Sequence, residues 1–431
     1  MSSDIRRIGV DYISRVEGEG CLRVAVRDGE VTEYDFGIFE PPRFFEAFMR
    51  GRRFTEAPDI TARICGICPV AYQMSSVQAM ESVCGVTVDP EIDDLRRLLY
   101  CGEWIESHVL HMYLLHAPDF LGYESGIALA ADFPNEVGRG LRLKQTGNAI
   151  VAALGGREIH PVSVRVGGFH RVPTRKELEP LIPRLEQARD DALATVEWVA
   201  ALPMPEADRD DEYVALVSDD EYAILKGRIR STRGIDVGVE QWNDLFVEEH
   251  VARSTALHSR IKERGLYQVG PMARFNLSEE LLRPVALDAA HRVGLAAPCT
   301  NPFRSIVVRA VETVHAVDLA LDLLDRYRRP ERPAVPVTPV AGTGHGASEA
   351  PRGMLYHRYE IDAEGRVLDA QIVPPTAQNQ GSIEADLLHL VERNLELADA
   401  DLQHLLEQSI RNYDPCISCS THFLRLEVDR G

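Results

Sequence analysis

The chain has 431 residues, 45% apolar and 26% charged, the balance of a soluble globular protein with enough chain to bury a large core. Lys and Arg number 47 against 67 Asp and Glu, a formal charge of −20, which argues against nucleic acid as a partner because phosphate backbones are bound by clustered positive charge. Eight cysteines are too few for a disulfide framework at this length, so metal or redox chemistry is the better reading of them. Length alone allows about three domain-equivalents. Met1–Ile8 is followed by no apolar signal segment, and no stretch approaches the roughly 18 apolar residues of a membrane helix. The expectation is a cytoplasmic protein without a membrane span.

In chain order, Cys21–Arg27 alternates, Asp28-Gly29 signals a two-residue turn, and Val31–Phe36 returns, which predicts a hairpin. After Pro41-Pro42 the texture becomes helical. Apolar residues at helical spacing (Leu95, Leu98, Leu99, Trp104, Ile105, Val109, Met112) predict a helix over Asp93–Ala117. Thr174–Leu202 reads as a helix or helix pair with Pro180 and Pro183 near its start. Phe303–Tyr327 follows Asn301-Pro302, a cap and first-turn proline. The proline-rich Arg329–Pro339 and Gly342-Thr-Gly-His-Gly346 read as an ordered loop over the core. A second hairpin is expected from Met354–Ile361, a turn at Asp362–Gly365, and Val367–Val373, and a last amphipathic helix from Ile383–Ile410. The fold class expected is mainly α with small β elements near both ends (α+β).

Two cysteine pairs stand out, Arg63-Ile-Cys65-Gly-Ile-Cys68-Pro69 and Asp414-Pro-Cys416-Ile-Ser-Cys419-Ser-Thr-His422. In a C-x-x-C turn both sulfurs can face one point, so two such turns offer four soft thiolates to one centre. Pro69 suits a first helical position, which puts Cys68 at a helix N-terminus where the dipole favours the thiolate. Structural zinc is the plainer alternative, although it usually staples a short module rather than the two ends of a long chain. Cys21, Cys84, Cys101 and Cys299 are isolated and read as packing residues.

At these residues the chain resembles the large subunit of NiFe hydrogenases. Arg63–Cys68 matches that family's N-terminal metal motif and Asp414–His422 its C-terminal one. Arg15-Val-Glu17-Gly18, Arg43-Phe-Phe-Glu46, His116-Ala-Pro-Asp119, Glu349-Ala-Pro-Arg352-Gly353 and Val373-Pro374-Pro375-Thr376 match in family order between them. The resemblance implies a long-helix bundle with the N- and C-terminal segments meeting at the metal site. It implies a nickel–iron centre with carbon monoxide and cyanide on iron. Cys65 and Cys416 would bind nickel terminally, with Cys68 and Cys419 bridging to iron. The reaction implied is reversible splitting of H2 into hydride and proton, with removal of two electrons. A metal-free, complex-I-like subunit of the same fold is a rival that retention of all four cysteines weighs against.

The resemblance also assigns roles around the centre. Cys416 would accept the proton and Glu17 carry it onward; read without the family, Glu17 is a solvated turn residue. Arg352 would stand over the vacant metal position, where a guanidinium stays charged at any working pH. Asp119, otherwise a local cap, would orient Arg352 through a carboxylate–guanidinium pair. Glu46, the backbone carbonyl of Gln371, and His422 would bind a second metal, magnesium or iron. Pro374 and Thr376 would border the diatomic ligands of iron. Two departures are Tyr72, where many relatives have histidine beside a bridging cysteine, and Pro375, where many have serine; Thr376 or backbone amides could substitute for that serine.

An endopeptidase that cuts after the motif's histidine, acting after nickel-insertion proteins, implies cleavage between His422 and Phe423. Residues 1–422 would then be one catalytic domain and 423–431 a removable extension; the tail also reads as an ordinary strand. Both departures, at Tyr72 and Pro375, with Ser107-His-Val-Leu-His111 and Thr376-Ala-Gln-Asn-Gln380, look like the cytoplasmic branch coupled to NAD(P) or deazaflavin. Within it the NAD(P)-linked, sulfhydrogenase-like type is the expectation. No G-x-G-x-x-G fingerprint is visible, so flavin and NAD(P) would sit on diaphorase partners and the iron–sulfur clusters on a small subunit.

Overall fold

The computed structural model describes residues 5–40 and 44–421. The first sheet has three antiparallel strands, β1 (Ile5–Val10), β2 (Gly20–Arg27) and β3 (Glu30–Ile38). The expected hairpin is β2–β3. Its turn residues Asp28 and Gly29 both have positive φ, 54° and 83°, which matches the twist of the flanking strands. β1, which lacks a turn signal of its own, joins as the outer strand.

Seven long helices form the body: α1 (Pro69–Val83), α2 (Pro90–Leu110), α3 (Pro134–Gly155), α4 (Leu181–Ala200), α5 (Ser305–Asp325), α6 (Pro375–Arg393) and α7 (Asp399–Asn412). α5 is the axis of the bundle. Ser305 to Val317 is buried without interruption, so the helix has no solvent-facing stripe, and its few polar residues, Arg309 and Glu312 among them, are buried with the rest. The expected Asp93–Ala117 helix is α2 followed by a wide π turn, His111–His116, and a short helix, Ala117–Leu121. Pro118 has no N–H for the carbonyl of Leu114, and the chain takes the longer hydrogen-bond register before it. The expected Ile383–Ile410 helix is two, α6 and α7. They are divided at Asn394, whose Nδ2 donates to Leu390 O at 2.8 Å and ends the first.

The third correction is at Gly342–Gly346, expected as loop. It is the start of strand β4 (Gly342–Ala350), paired antiparallel with β5 (Gly353–Ile361), which pairs with β6 (Val367–Val373). The glycines are there because β4 lies directly on α1. A Cβ on Gly344 would stand 2.1 Å from Ala79 O, and one on Gly346 2.4 Å from Ser75 O. Short strands also occur between Val164 and Ile261, so β structure is not confined to the ends. Val214–Val217 is buried at every position and carries no alternation to reveal it.

One buried ion network joins α2, α5 and the β4–β5 corner. Arg274 engages all five guanidinium N–H groups: Nε and Nη2 donate to Glu312 at 2.7 Å, Nη1 to Glu349 at 2.9 Å and Ala350 O at 3.0 Å, and Nη2 to Pro351 O at 3.1 Å. The ring of Trp104 lies 4.4 Å from its carbon. Burial opposes ionisation of both carboxyls. The paired Glu312 is nonetheless held well below the usual carboxylate range by Arg274, whereas burial pushes Glu349 up to about 7.

Gly346→Ala should lower stability by about 1–3 kcal/mol by forcing β4 off α1, read as a drop in denaturation midpoint. Arg274→Leu should cost about 3–5 kcal/mol in the same measurement, because Glu312 and Glu349 lose their shared cation.

Candidate metal and proton-transfer site

Both cysteine pairs sit where irregular backbone enters a helix. Cys65 ends a tight turn over Ala62–Ile64, and Cys68 is the residue before α1, with Pro69 in its first turn as expected. Cys416 likewise precedes a short helix, Ile417–Ser420, which carries Cys419. The four sulfurs are buried and lie within 4.8 Å of one another. Cys65 Sγ is 3.5 Å from Cys416 Sγ and accepts from the amides of Ile67 and Cys68 at 3.3 Å each. Hydrogen bonds from the sulfurs of Cys416, Cys419 and Cys68 hold Cys65 well below the usual thiol range, while burial pushes Cys416 up. The donor set is that of a soft metal, and cations would drive off the remaining protons.

The N-terminal segment closes over the second pair. Ile417 N donates to Glu17 O at 2.9 Å, Ser418 N donates to Glu17 Oε2 at 3.0 Å, and that oxygen is 3.2 Å from Cys416 Sγ. Gly18, at φ 91°, permits this approach, since a Cβ there would meet Ile417 Cβ at 2.7 Å. Glu17 is therefore within proton-transfer reach of a sulfur and is not a freely solvated turn residue.

Arg352 is buried beside the sulfurs; burial opposes its charge, but Asp414 first and then the cysteines hold it above the usual range. Its Nε donates to Asp414 O at 2.6 Å and Nη2 to Asp414 Oδ1 at 3.1 Å. Asp119, expected to make this pair, binds Arg15 and Arg411 instead. Asp414 takes the place because it immediately precedes Pro415-Cys416 and, at φ 51°, turns both its carbonyl and its carboxylate toward the guanidinium. Arg352 Nη1 and the hydroxyl of Tyr72 are buried without a hydrogen-bond partner among the described residues. Tyr72 is close enough for all four cysteines to disfavour its ionisation, burial being the larger cause. Polar groups left open around four sulfurs fit a bound metal group.

The remaining expected residues border this point. Thr376 Oγ1 accepts the Cys416 amide at 2.9 Å. Pro374, Glu46, Gln371 and Cys419 line one cleft of about 780 Å³. Glu46 Oε1 accepts from Ile372 N at 2.7 Å, which sets its carboxylate against the strand carrying Gln371. The side-chain amide of Gln371 is engaged with Asn243 and Glu248, so a ligand role there would belong to its carbonyl. His422, Phe423 and Arg43 lie outside the described residues.

Two residues without an expected role belong to the site. Asp414 was visible only as a letter in the motif. Glu103, buried in α2, accepts from the amides of Val70 at 2.6 Å and Ala71 at 3.0 Å, capping α1 just behind Cys68. Burial pushes its carboxyl well up. Set between Gly102 and Trp104 in an amphipathic helix that carries several other charged residues, it has no local signal of that contact.

Over residues 43–136 and 306–422 the chain matches the nickel-dependent hydrogenase family. It is 35% identical over 423 residues to the sulfhydrogenase 1 subunit alpha of Pyrococcus furiosus, covering 97% of this chain and 98% of that one. It is 26% identical over 473 residues to the NAD-reducing hydrogenase HoxS subunit beta of Cupriavidus necator, covering 97% and 95%. An NAD+-reducing NiFe hydrogenase solved in the H2-reduced state is 28% identical and superposes with a TM-score of 0.89 over 98% of this chain and 100% of that one. A Ni-Fe-Se hydrogenase from Desulfomicrobium baculatum, 23% identical with a TM-score of 0.82 over 97% and 100%, shares the fold. With all four thiols converging and relatives matching end to end, the chain belongs to the large-subunit family of nickel-dependent hydrogenases, oxidoreductases that act on H2.

Proposed function

We propose that this chain is the catalytic large subunit of a cytoplasmic hydrogenase that interconverts H2 with protons and electrons at a nickel–iron centre. The observation that carries this reading is the convergence of the four sulfurs with a carboxylate oxygen 3.2 Å from one of them. On this reading Cys65, Cys68, Cys416 and Cys419 would together hold the nickel and iron. When bound, the pair supplies heterolytic cleavage of H2 and acceptance of two electrons.

The chain's own residues handle the proton and the surroundings. Cys416 Sγ takes the proton and passes it to Glu17 Oε2; the reverse transfer serves H2 formation. Arg352, fixed at two points by Asp414, keeps a permanent positive charge beside the sulfurs, suited to polarising H2 or excluding competing ligands. Pro374 and Thr376 border the carbon monoxide and cyanide of iron. Glu46, the Gln371 carbonyl and His422 hold magnesium or iron at the second site.

The partners follow from the relatives' names and from this chain's cysteines. A small subunit carries the iron–sulfur clusters, because the other four cysteines here are scattered, and a flavin-containing diaphorase pair passes electrons to NAD(P). No helix among the described residues is long and apolar enough to cross a membrane. Maturation removes residues 423–431 by an endopeptidase cut between His422 and Phe423, once nickel has been inserted.

In the native complex, metal analysis should find nickel and iron, and infrared spectra should show the bands of the diatomic ligands. Cys65→Ser should lose nickel, and H2 oxidation should fall to background. Zinc as the only metal, without those bands, would overturn the reading.

A further inference from the structure

Asp119 sits at the far end of the seam where the two terminal segments meet. Its side chain is fully shielded, and Oδ1 accepts from two guanidinium groups, Arg15 Nη2 and Arg411 Nη1, the latter at 2.9 Å. Each arginine is tied further. Arg15 Nη1 donates to Leu115 O at 2.9 Å. Arg411 Nε donates to Ser14 O at 2.9 Å, and its Nη2 to Ser14 Oγ at 3.1 Å and to Glu407 Oε2 at 2.6 Å. Two carboxylates thus face two cations, and the buried charge is balanced.

The seam runs from this knot to the reacting atoms. Two residues beyond Arg15 is Glu17, and five beyond Arg411 is Cys416. The two segments are joined at the other end by the single backbone bridge between Glu17 and Cys416. Neither belongs to a sheet there, so no ladder fixes their register. Arg15 holds a left-handed φ of 58°, a conformation that persists in a residue with a side chain only where its surroundings over-determine it. Asp119 itself follows the wide π turn at His111–His116, a distortion often found at functional sites.

We propose that Asp119, through Arg15 and Arg411, is a positioning residue for the proton step: it holds Glu17 Oε2 within reach of Cys416 Sγ and touches neither atom. The inference rests on the reading of Glu17 as the proton acceptor. The S–H bond of Cys416 breaks and an O–H bond forms on Glu17, leaving a thiolate and a neutral carboxyl group, and no electron moves. Transfer needs the two atoms within about 3.2 Å, and a misplacement of about 1 Å can cost on the order of 100-fold in rate. Asparagine at 119 keeps the shape but removes the charge both guanidinium groups share, so the segments gain freedom to slide.

The test uses the native complex with Asp119→Asn, Glu17→Gln, the double variant and Arg15→Lys, measuring nickel content, infrared bands and the rate of isotope exchange between D2 and solvent protons. Asp119→Asn should keep its nickel and bands and slow exchange about 10- to 100-fold. In the Glu17→Gln background the same change should slow it no further, since both act on one transfer. Arg15→Lys, which keeps a single charged donor to Asp119, should fall between wild type and Asp119→Asn. If Asp119→Asn yields no folded complex, Arg15→Lys with and without Glu17→Gln closes the same cycle. Unchanged exchange in Asp119→Asn, equal slowing with and without Glu17, or loss of nickel from both Asp119→Asn and Arg15→Lys would overturn the proposal. Wild-type exchange in Glu17→Gln would overturn the reading of Glu17 and this inference with it, while nickel and bands still reported on the centre.

Discussion

Four sulfurs at one buried point impose a condition that the rest of the molecule answers. Two full negative charges at about 4 Å repel by about 4 kcal/mol even at an effective dielectric near 20. The spacing here is within 4.8 Å, so four thiolates are stable together only with protons or cations between them. The surroundings supply part of the compensation: two amides aimed at Cys65, and the buried guanidinium of Arg352. Nearby Arg309 is pulled down to about 10 by burial, although Asp414 favours its charge. The two amides and Arg352 lower the cost of a thiolate at Cys65 without cancelling the set, and metal cations suit what remains.

The second constraint is chain length. Each C-x-x-C turn is local and costs little to form, but Cys65 and Cys416 are 351 residues apart. Ordering them at one point requires nearly the whole fold to be in place, because loop closure between distant segments must be offset by packing. Beside the Glu17 contacts, two arginines tie the segments together away from the sulfurs. Arg6 on β1 binds Asp399, Leu395 O and Leu397 O at the α6–α7 junction. Arg411 on α7 binds Ser14. Both bring the first residues of the chain onto its last long helix, and the four sulfurs stand at the end of that contact.

What the sequence displayed and what it concealed divide along the same line. The paired cysteines, the Asp28-Gly29 hairpin and the proline before α1 were legible because each is a local pattern whose spacing has a geometric meaning. Gly344 and Gly346 misled because glycine in a run reads as a breaker; the cause of both is a helix backbone contributed by residues more than 250 positions earlier. Asp119 paired with Arg411 rather than Arg352 for a similar reason. Family order placed Asp119 and Arg352 near the centre, but nothing in the letters tells which of several buried arginines a carboxylate will meet. Glu103, whose partners are amides 32 and 33 residues away, was invisible on the same grounds.

The buried arginines can nonetheless be told apart once their donors are followed. Arg274 engages all five N–H groups with protein acceptors, so no donor remains for a ligand, and its work is to hold the carbonyls of Ala350 and Pro351 just before Arg352. Arg352 engages Asp414 at two points and keeps Nη1 without a partner among the described residues. Other buried arginines also leave a donor open, Arg96 Nε and Arg309 Nε among them; what sets Arg352 apart is that cysteine sulfurs act on its charge. The scaffold arginine therefore positions the one beside the sulfurs. It fixes the corner from which Arg352 extends, Asp414 in its left-handed conformation fixes the plane of the guanidinium, and the donor that both leave free belongs beside the sulfurs. A lysine at 352 would keep the charge but not the planar fork that lets two donors be held while a third is presented.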